Sequence, residues 1–165
     1  MNRRLILLVL ILLIAFPVFA QSESPVTVAV TTSHTSVPAG GEFNIFVEYK
    51  IPDKFHLTEN FFEVRLNEIE GITKGLQQAT KGEFEHEEVV RRGLVIVKLP
   101  IQIADRVSAG LTKITGVTTY QICNDETQSC SPPADTKVEF SITVLENGEK
   151  PIANPAVEDV SKRFD

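Results

Sequence analysis

A hydrophobic period of two constrains this chain more than any other feature. Val138, Phe140, Ile142 and Val144 alternate with Lys137, Glu139, Ser141 and Thr143. Side chains of an extended backbone change faces at every residue, so this spacing sends four apolar groups to one side and four polar groups to the other. Phe43, Ile45, Val47 and Tyr49 repeat the pattern, with Phe46 breaking it. Val26, Val28 and Val30 give a third case, and Phe62, Val64 and Leu66 a shorter fourth. Residues 89–103 and 111–123 are longer and richer in β-branched side chains, which suits central strands. Turn formers separate the runs at Pro38-Ala39-Gly40-Gly41, Pro52-Asp53, Gly71, Gly75 and Ala109-Gly110. About seven or eight short strands with little helical period predict an all-β fold, an immunoglobulin-like antiparallel β-sandwich. The chain has no Trp and its cysteines are too close for the inter-sheet bridge of antibody domains, so that subfamily is excluded.

The ends read differently. Arg3 and Arg4 precede an aliphatic stretch that is short for a membrane span, and Val18-Phe19-Ala20 offers a cleavage site. Residues 1–20 are therefore expected to be a signal peptide for the general secretory route. That makes the rest an exported, periplasmic domain, membrane-attached only if the signal stays uncleaved. No cysteine follows the apolar stretch, which does not support a lipid anchor. Residues 21–146 hold the expected sandwich. Residues 147–165, with Asn147-Gly148, Pro151, Pro155 and dense charge, predict a polar, extended or disordered tail. Residues 76–88 predict a charged surface loop around Phe84. The formal charge of −6 argues against nucleic acid and anionic membrane surfaces as partners.

Chemistry concentrates in residues 120–133, Y-Q-I-C-N-D-E-T-Q-S-C-S-P-P, which contain the only two cysteines, Cys123 and Cys130. Alternation puts Cys123 near the end of a long strand, on the side of Gln121 and Thr119. Cys130 falls across six residues at the start of the next strand, so a disulfide can bridge the mouth of a hairpin. Pro132 and Pro133 limit pairing beyond it. Spacing alone leaves two readings open. A staple of this loop length would stabilise by about 2–3 kcal/mol in the chain-entropy picture. A redox centre would use the same sulfurs as an exchangeable pair. A zinc site lacks ligands, because His34, His56 and His86 are not spaced to join the cysteines. No cofactor and no metal are expected. Glu83, Glu85, Glu87 and Glu88 around His86 read as a solvated loop, and Arg91-Arg92 as a strand edge. Asp125 and Glu126 would disfavour a thiolate beside them.

Tyr-Gln-x-Cys before the loop and Cys-x-Pro-Pro after it resemble the amino-terminal periplasmic domain of DsbD, a bacterial thiol–disulfide interchange protein. The segment K-I-P-D-K-F-H-L at residues 50–57 and Gly82-Glu83-Phe84 extend the resemblance over roughly residues 25–145. The resemblance implies an immunoglobulin-like sandwich whose cysteine pair, here Cys123 and Cys130, carries electrons as a protein-disulfide reductase or electron-transfer domain. It implies Phe84 as a cap over the pair, with Glu83 beside it. Gln121, on the face of Cys123, is expected to position it by hydrogen bonding, and Tyr120 is open to a positioning or a core role. The implied partners are thioredoxin-fold periplasmic oxidoreductases. The electron donor would be a separate membrane or thioredoxin-like protein, since the family's membrane and thioredoxin-like parts have no counterpart in these 165 residues. The competing expectation is a non-catalytic exported binding or scaffold sandwich with a structural disulfide.

Overall fold

A computed structural model describes residues 25–85 and 87–164. The expected signal segment 1–20 and His86 lie outside the described residues. In chain order come β1 (Thr27–Thr32), β2 (His34–Pro38), β3 (Glu42–Lys50), β4 (Phe55–Leu66), β5 (Ile72–Lys74), β6 (Gln78–Ala79) and β7 (Glu83–Glu85). They are followed by β8 (Glu88–Arg91), β9 (Leu94–Ile103), β10 (Gly110–Asn124), β11 (Ser129–Cys130), β12 (Ala134–Leu145) and β13 (Ile152–Ala153). A 3-10 turn (Pro155–Val157) and a short helix α1 (Glu158–Ser161) close the chain.

The strands form two sheets. One runs β1-β3-β9-β5, with β6 also on β9; the other runs β13-β2-β12-β10-β4-β8-β7, with β11 also on β10. All pairings are antiparallel except β12 with β2, which is parallel from Thr143↔Ser36 to Leu145↔Pro38. This is the expected immunoglobulin-like sandwich. Its core takes Phe43, Ile45, Val47 and Tyr49 from β3 and Val95, Val97, Leu99 and Ile101 from β9. The other sheet supplies Leu57, Phe62, Val64, Ile114, Tyr120, Val138 and Ile142. The period of two thus sorts residues as the sequence requires, because each strand buries one face.

Three readings change. Residues 89–103 are not one strand: they break at Gly93, whose φ of 66° is left-handed. β8 stays in the cysteine-bearing sheet while β9 crosses to the other. The loop expected at residues 76–88 is largely a hairpin of β7 on β8, paired at Glu83↔Val90 and Phe84↔Val89. Gly82 permits this closeness, since a Cβ there would lie 2.6 Å from a methyl of Val89 and 2.7 Å from the Val90 carbonyl.

The third change concerns the tail. Phe46 and Ile96 point out of the five-stranded sheet, yet both are buried, packed with Val157, Val160 and Phe164. The Phe46 and Phe164 rings lie 6.1 Å apart. β13 pairs with β2, and the Asn154 side-chain amide donates to the Thr32 carbonyl at 3.0 Å. Residues 147–165 therefore carry a docked segment where the sequence predicted an extended or disordered tail. Their few apolar residues have an apolar patch to cover, which outweighs their polar composition. No helix among the described residues is long and apolar enough to cross a membrane.

Deleting residues 151–165 uncovers that patch. The expected result is a loss of at least about 2 kcal/mol of unfolding free energy, measured by denaturant titration. Unchanged stability would show that the outer face does not need the cover.

Candidate functional site

The site begins with a tight reversal. The Asn124 side-chain oxygen accepts the backbone N–H groups of Glu126 at 2.8 Å and Thr127 at 3.0 Å, which favours a turn. Gln128 takes a left-handed φ of 52° to complete it. With the loop closed over residues 125–128, Cys123 and Cys130 stand directly opposite in the β10–β11 register. Their sulfurs are bonded, with Cα atoms 3.9 Å apart. β11 stops before Pro132 and Pro133, which lack the N–H a ladder needs, and β12 resumes on β10 at Tyr120↔Ala134. The exit strand is held by Gln121, whose Nε2 donates to the Ser131 carbonyl at 2.8 Å. The Ser131 N–H donates to the Ile122 carbonyl at 2.9 Å.

On the other side of β10 lies β4. The two pair from Gly116↔Leu66 to Tyr120↔Phe62, break, and resume at Ile122↔Leu57 and Cys123↔His56. Directly opposite residues in a sheet share a face. His56, Cys123 and Cys130 therefore form a row across β4, β10 and β11. Burial along the row is uneven: Cys123 is 4 % exposed, whereas Cys130 is exposed.

A chain of charges runs beside the row. His56 Nδ1 and Asp125 Oδ1 are 2.7 Å apart. Arg92 donates to both Asp125 oxygens, at 2.8 and 3.2 Å, and to both Glu85 oxygens, at 2.7 and 3.0 Å. Forked guanidinium–carboxylate contacts of this kind are strong and directional. Hydrogen bonding to Arg92, and secondarily to His56, holds the Asp125 carboxyl down at about 2. Hydrogen bonding to Arg92 also lowers the Glu85 carboxyl, and the two carboxylates raise Arg92. Glu126 pairs with Lys54 at 2.8 Å. Asp125 and Glu126 are each paired with a cation, Arg92 and Lys54, so neither is a bare charge beside the sulfurs.

These groups surround an open cavity of about 480 Å³ lined by His56, Glu85, Arg92, Cys123, Asp125 and Cys130, among others. Another open cavity of about 470 Å³, near Gly40, Gly71, Asp105 and Arg106, has no cysteine or histidine in its lining. Of the positions singled out by sequence, Cys123, Cys130 and Gln121 come together. Glu83 reaches Arg92 at 3.6 Å. Tyr120 is a core residue, its ring 5.8 Å from that of Tyr49 and its hydroxyl 3.1 Å from that of Thr136. Phe84 is 76 % exposed and does not line the cavity. It lies on the face of β7 opposite Glu83 and Glu85, so its ring is not over the sulfurs. Sequence reasoning missed His56, Arg92, Asp125 and Glu85 as one unit. No group of three or more His, Cys, Asp or Glu side chains among the described residues is placed to hold a metal ion.

No family model matches the chain, and no curated protein matches it by sequence. Among solved structures it is similar to the N-terminal domain of DsbD from Neisseria meningitidis, crystallised in the reduced form. The TM-score is 0.51 at 17 % identity, over 72 % of this chain and 90 % of that one. BcpA, the major pilin subunit of Bacillus cereus, aligns at a TM-score of 0.40 and 10 % identity over 73 % of this chain and 40 % of that one, too low to carry weight. The fold is therefore that of the DsbD N-terminal domain.

The clasp sets a pH dependence. A carboxyl held at about 2 when folded, against ~3.9 when unfolded, contributes stability that is present above ~4 and lost as pH falls through about 2. In Arg92→Met the Asp125 carboxyl should titrate closer to its ordinary value, followed by carboxyl-carbon NMR. An unmoved titration would show that Arg92 does not set it.

Proposed function

We propose that this chain is a periplasmic thiol–disulfide exchange domain that passes electron pairs between thioredoxin-fold proteins through Cys123 and Cys130. The observation that carries this reading is the uneven exposure of one disulfide. Cys130 lies at the surface beside an open cavity, while Cys123 is buried against its neighbours. A staple gains nothing from one accessible sulfur. An exchange centre needs one sulfur to be attacked and a defined one to leave.

The chemistry follows from that asymmetry. A thiolate of a reduced thioredoxin-fold donor attacks Cys130 Sγ, the Cys123–Cys130 bond breaks, and Cys123 leaves as a thiolate. The donor's second thiolate then attacks its own sulfur in the mixed disulfide, releasing Cys130 and leaving the donor oxidised. In the forward half, the Cys130 thiolate attacks an acceptor's disulfide and Cys123 resolves the mixed disulfide, returning the pair to the oxidised state. Two electrons move in each half. Gln121 holds the strand carrying Cys130 through Ser131. The β7–β8 hairpin serves as the cap, tied down by Glu83 and Glu85 on Arg92. Phe84 is the apolar group on it that an arriving partner meets first. Residues 1–20 deliver the domain to the periplasm as a secretory signal, and the electron donor is a membrane or thioredoxin-like protein. The likeness of fold to the DsbD domain supports this reading.

Two measurements test it. The reduction potential should fall between about −120 and −270 mV, the span of exchange proteins, whereas a structural bridge would lie below about −300 mV. Cys123→Ser, which leaves the exposed thiol without its resolving partner, should trap thioredoxin-fold proteins as mixed disulfides in a periplasmic extract. If neither Cys123→Ser nor Cys130→Ser traps any and the potential is that of a staple, the domain is an exported scaffold.

A further inference from the structure

We infer that His56 is the proton donor and acceptor for Cys123 during exchange, with Asp125 fixing its tautomer. The inference rests on the exchange reading above and adds to it the group that controls the leaving sulfur.

Three placements carry it. First, His56 is the residue directly across the sheet from Cys123, so the two side chains leave the same face. Second, both line one cavity, and the His56 side chain is only 14 % exposed. Third, one ring nitrogen is already committed. An ionised carboxylate can only accept, so Nδ1 carries a proton and donates it to Asp125 across 2.7 Å. The low carboxyl of Asp125 supports that assignment. Nε2 has no hydrogen-bond partner among the described residues, and it is the nitrogen free to exchange a proton with the cavity.

The step balances. The incoming thiolate bonds to Cys130 Sγ, the Cys123–Cys130 electron pair goes to Cys123 Sγ, and imidazolium Nε2–H passes its proton to that sulfur. His56 ends neutral and Cys123 ends as a thiol. In the reverse half, neutral Nε2 takes the proton back and the Cys123 thiolate attacks the mixed disulfide. A buried thiolate is costly without such compensation. The other charges facing His56 are Asp125 on the cysteine loop, Arg92 after β8, Glu85 on β7 and Glu88 on β8. Lys54, just before β4, is engaged by Glu126. Arg92 is shared among Asp125, Glu85 and Glu83 and is not free to serve the sulfur instead.

The test reduces the oxidised full domain with dithiothreitol across pH. The second-order rate constant is divided by the fraction of reductant present as thiolate. For the wild type this corrected constant should fall as pH rises through the imidazole titration. For His56→Gln it should be flat and lower by about 100-fold at the acid end. A purely structural histidine would lower the rate without removing the pH dependence. Matching profiles in the two proteins overturn the role of His56 but leave exchange intact. A wild-type disulfide inert to the reductant sinks the exchange reading itself. Imidazole NMR of the wild type needs no variant. Reduction should move the His56 Nε2 nitrogen resonance, because that atom gains the Cys123 thiol as a hydrogen-bond partner, and an unmoved resonance overturns the inference even if His56→Gln fails to fold.

Discussion

The geometry of the site depends on one break in sheet register. Below the break, Phe62 faces Tyr120; above it, Leu57 faces Ile122. One residue of β10, Gln121, therefore stands against four of β4, Thr58 to Phe61. Had the lower register continued, Cys123 would face Glu59, a carboxylate, instead of His56. The released segment is not idle. Thr58 pairs with Val90, so the surplus of β4 meets β8 at the level of the break. Glu59 binds the Arg91 guanidinium. One local irregularity thus docks the hairpin that rims the cavity and puts an imidazole, instead of an anion, opposite Cys123. Bulges near active sites commonly re-aim side chains in this manner.

The break is held from the core side. Tyr49, from the opposite sheet, packs its ring 5.0 Å from that of Phe62 and 5.8 Å from that of Tyr120, the last pair before the break. Its hydroxyl is bonded to that of Thr118, which lies 3.1 Å from the Glu63 carbonyl. Burial pushes the Tyr49 hydroxyl up, so it stays neutral. This aromatic cluster beneath an irregular strand pair holds the register on the core side of the cavity that carries the disulfide. Tyr120 contributes through packing, which explains its place in the motif without any contact to the sulfurs.

The strand pattern and the cysteine hairpin were legible in the sequence because both are local. A period of two survives as long as one face is buried, and two cysteines flanking a turn-forming Asn124 predict their own meeting. Phe46 and the tail were two anomalies that explain each other: an apolar residue on the wrong face and a polar segment with Val157 and Phe164. Neither is interpretable alone, since the contact spans more than a hundred residues. The charge chain was illegible for the same reason. His56 and Asp125 are 69 positions apart and Arg92 and Asp125 are 33 apart. Their meeting depends on a register shift and on the turn at Gly93, which alternation cannot reveal. Read locally, Arg92 was an edge residue and Asp125 an unopposed anion.

Pairing Asp125 changes what the sulfurs experience. Left alone, its charge would oppose any thiolate on Cys123. Bound on one oxygen pair by Arg92 and on one oxygen by His56, it becomes part of a nearly balanced group: Glu85 and Asp125 negative, Arg92 positive, His56 neutral or positive. Within these four groups a proton on His56 takes the net charge from −1 to 0, which weakens the negative field at the Cys123 sulfur. In the proposed exchange, a protonated His56 gives the departing Cys123 sulfur a cation and a proton from across the strand pair. With His56 neutral, the surrounding carboxylates favour the thiol or the disulfide. Arg92 follows β8 directly, so one guanidinium joins the β7–β8 hairpin, through Glu85, to the cysteine loop, through Asp125. The rim of the cavity and the imidazole across from Cys123 are thereby linked through that guanidinium and the Asp125 carboxylate.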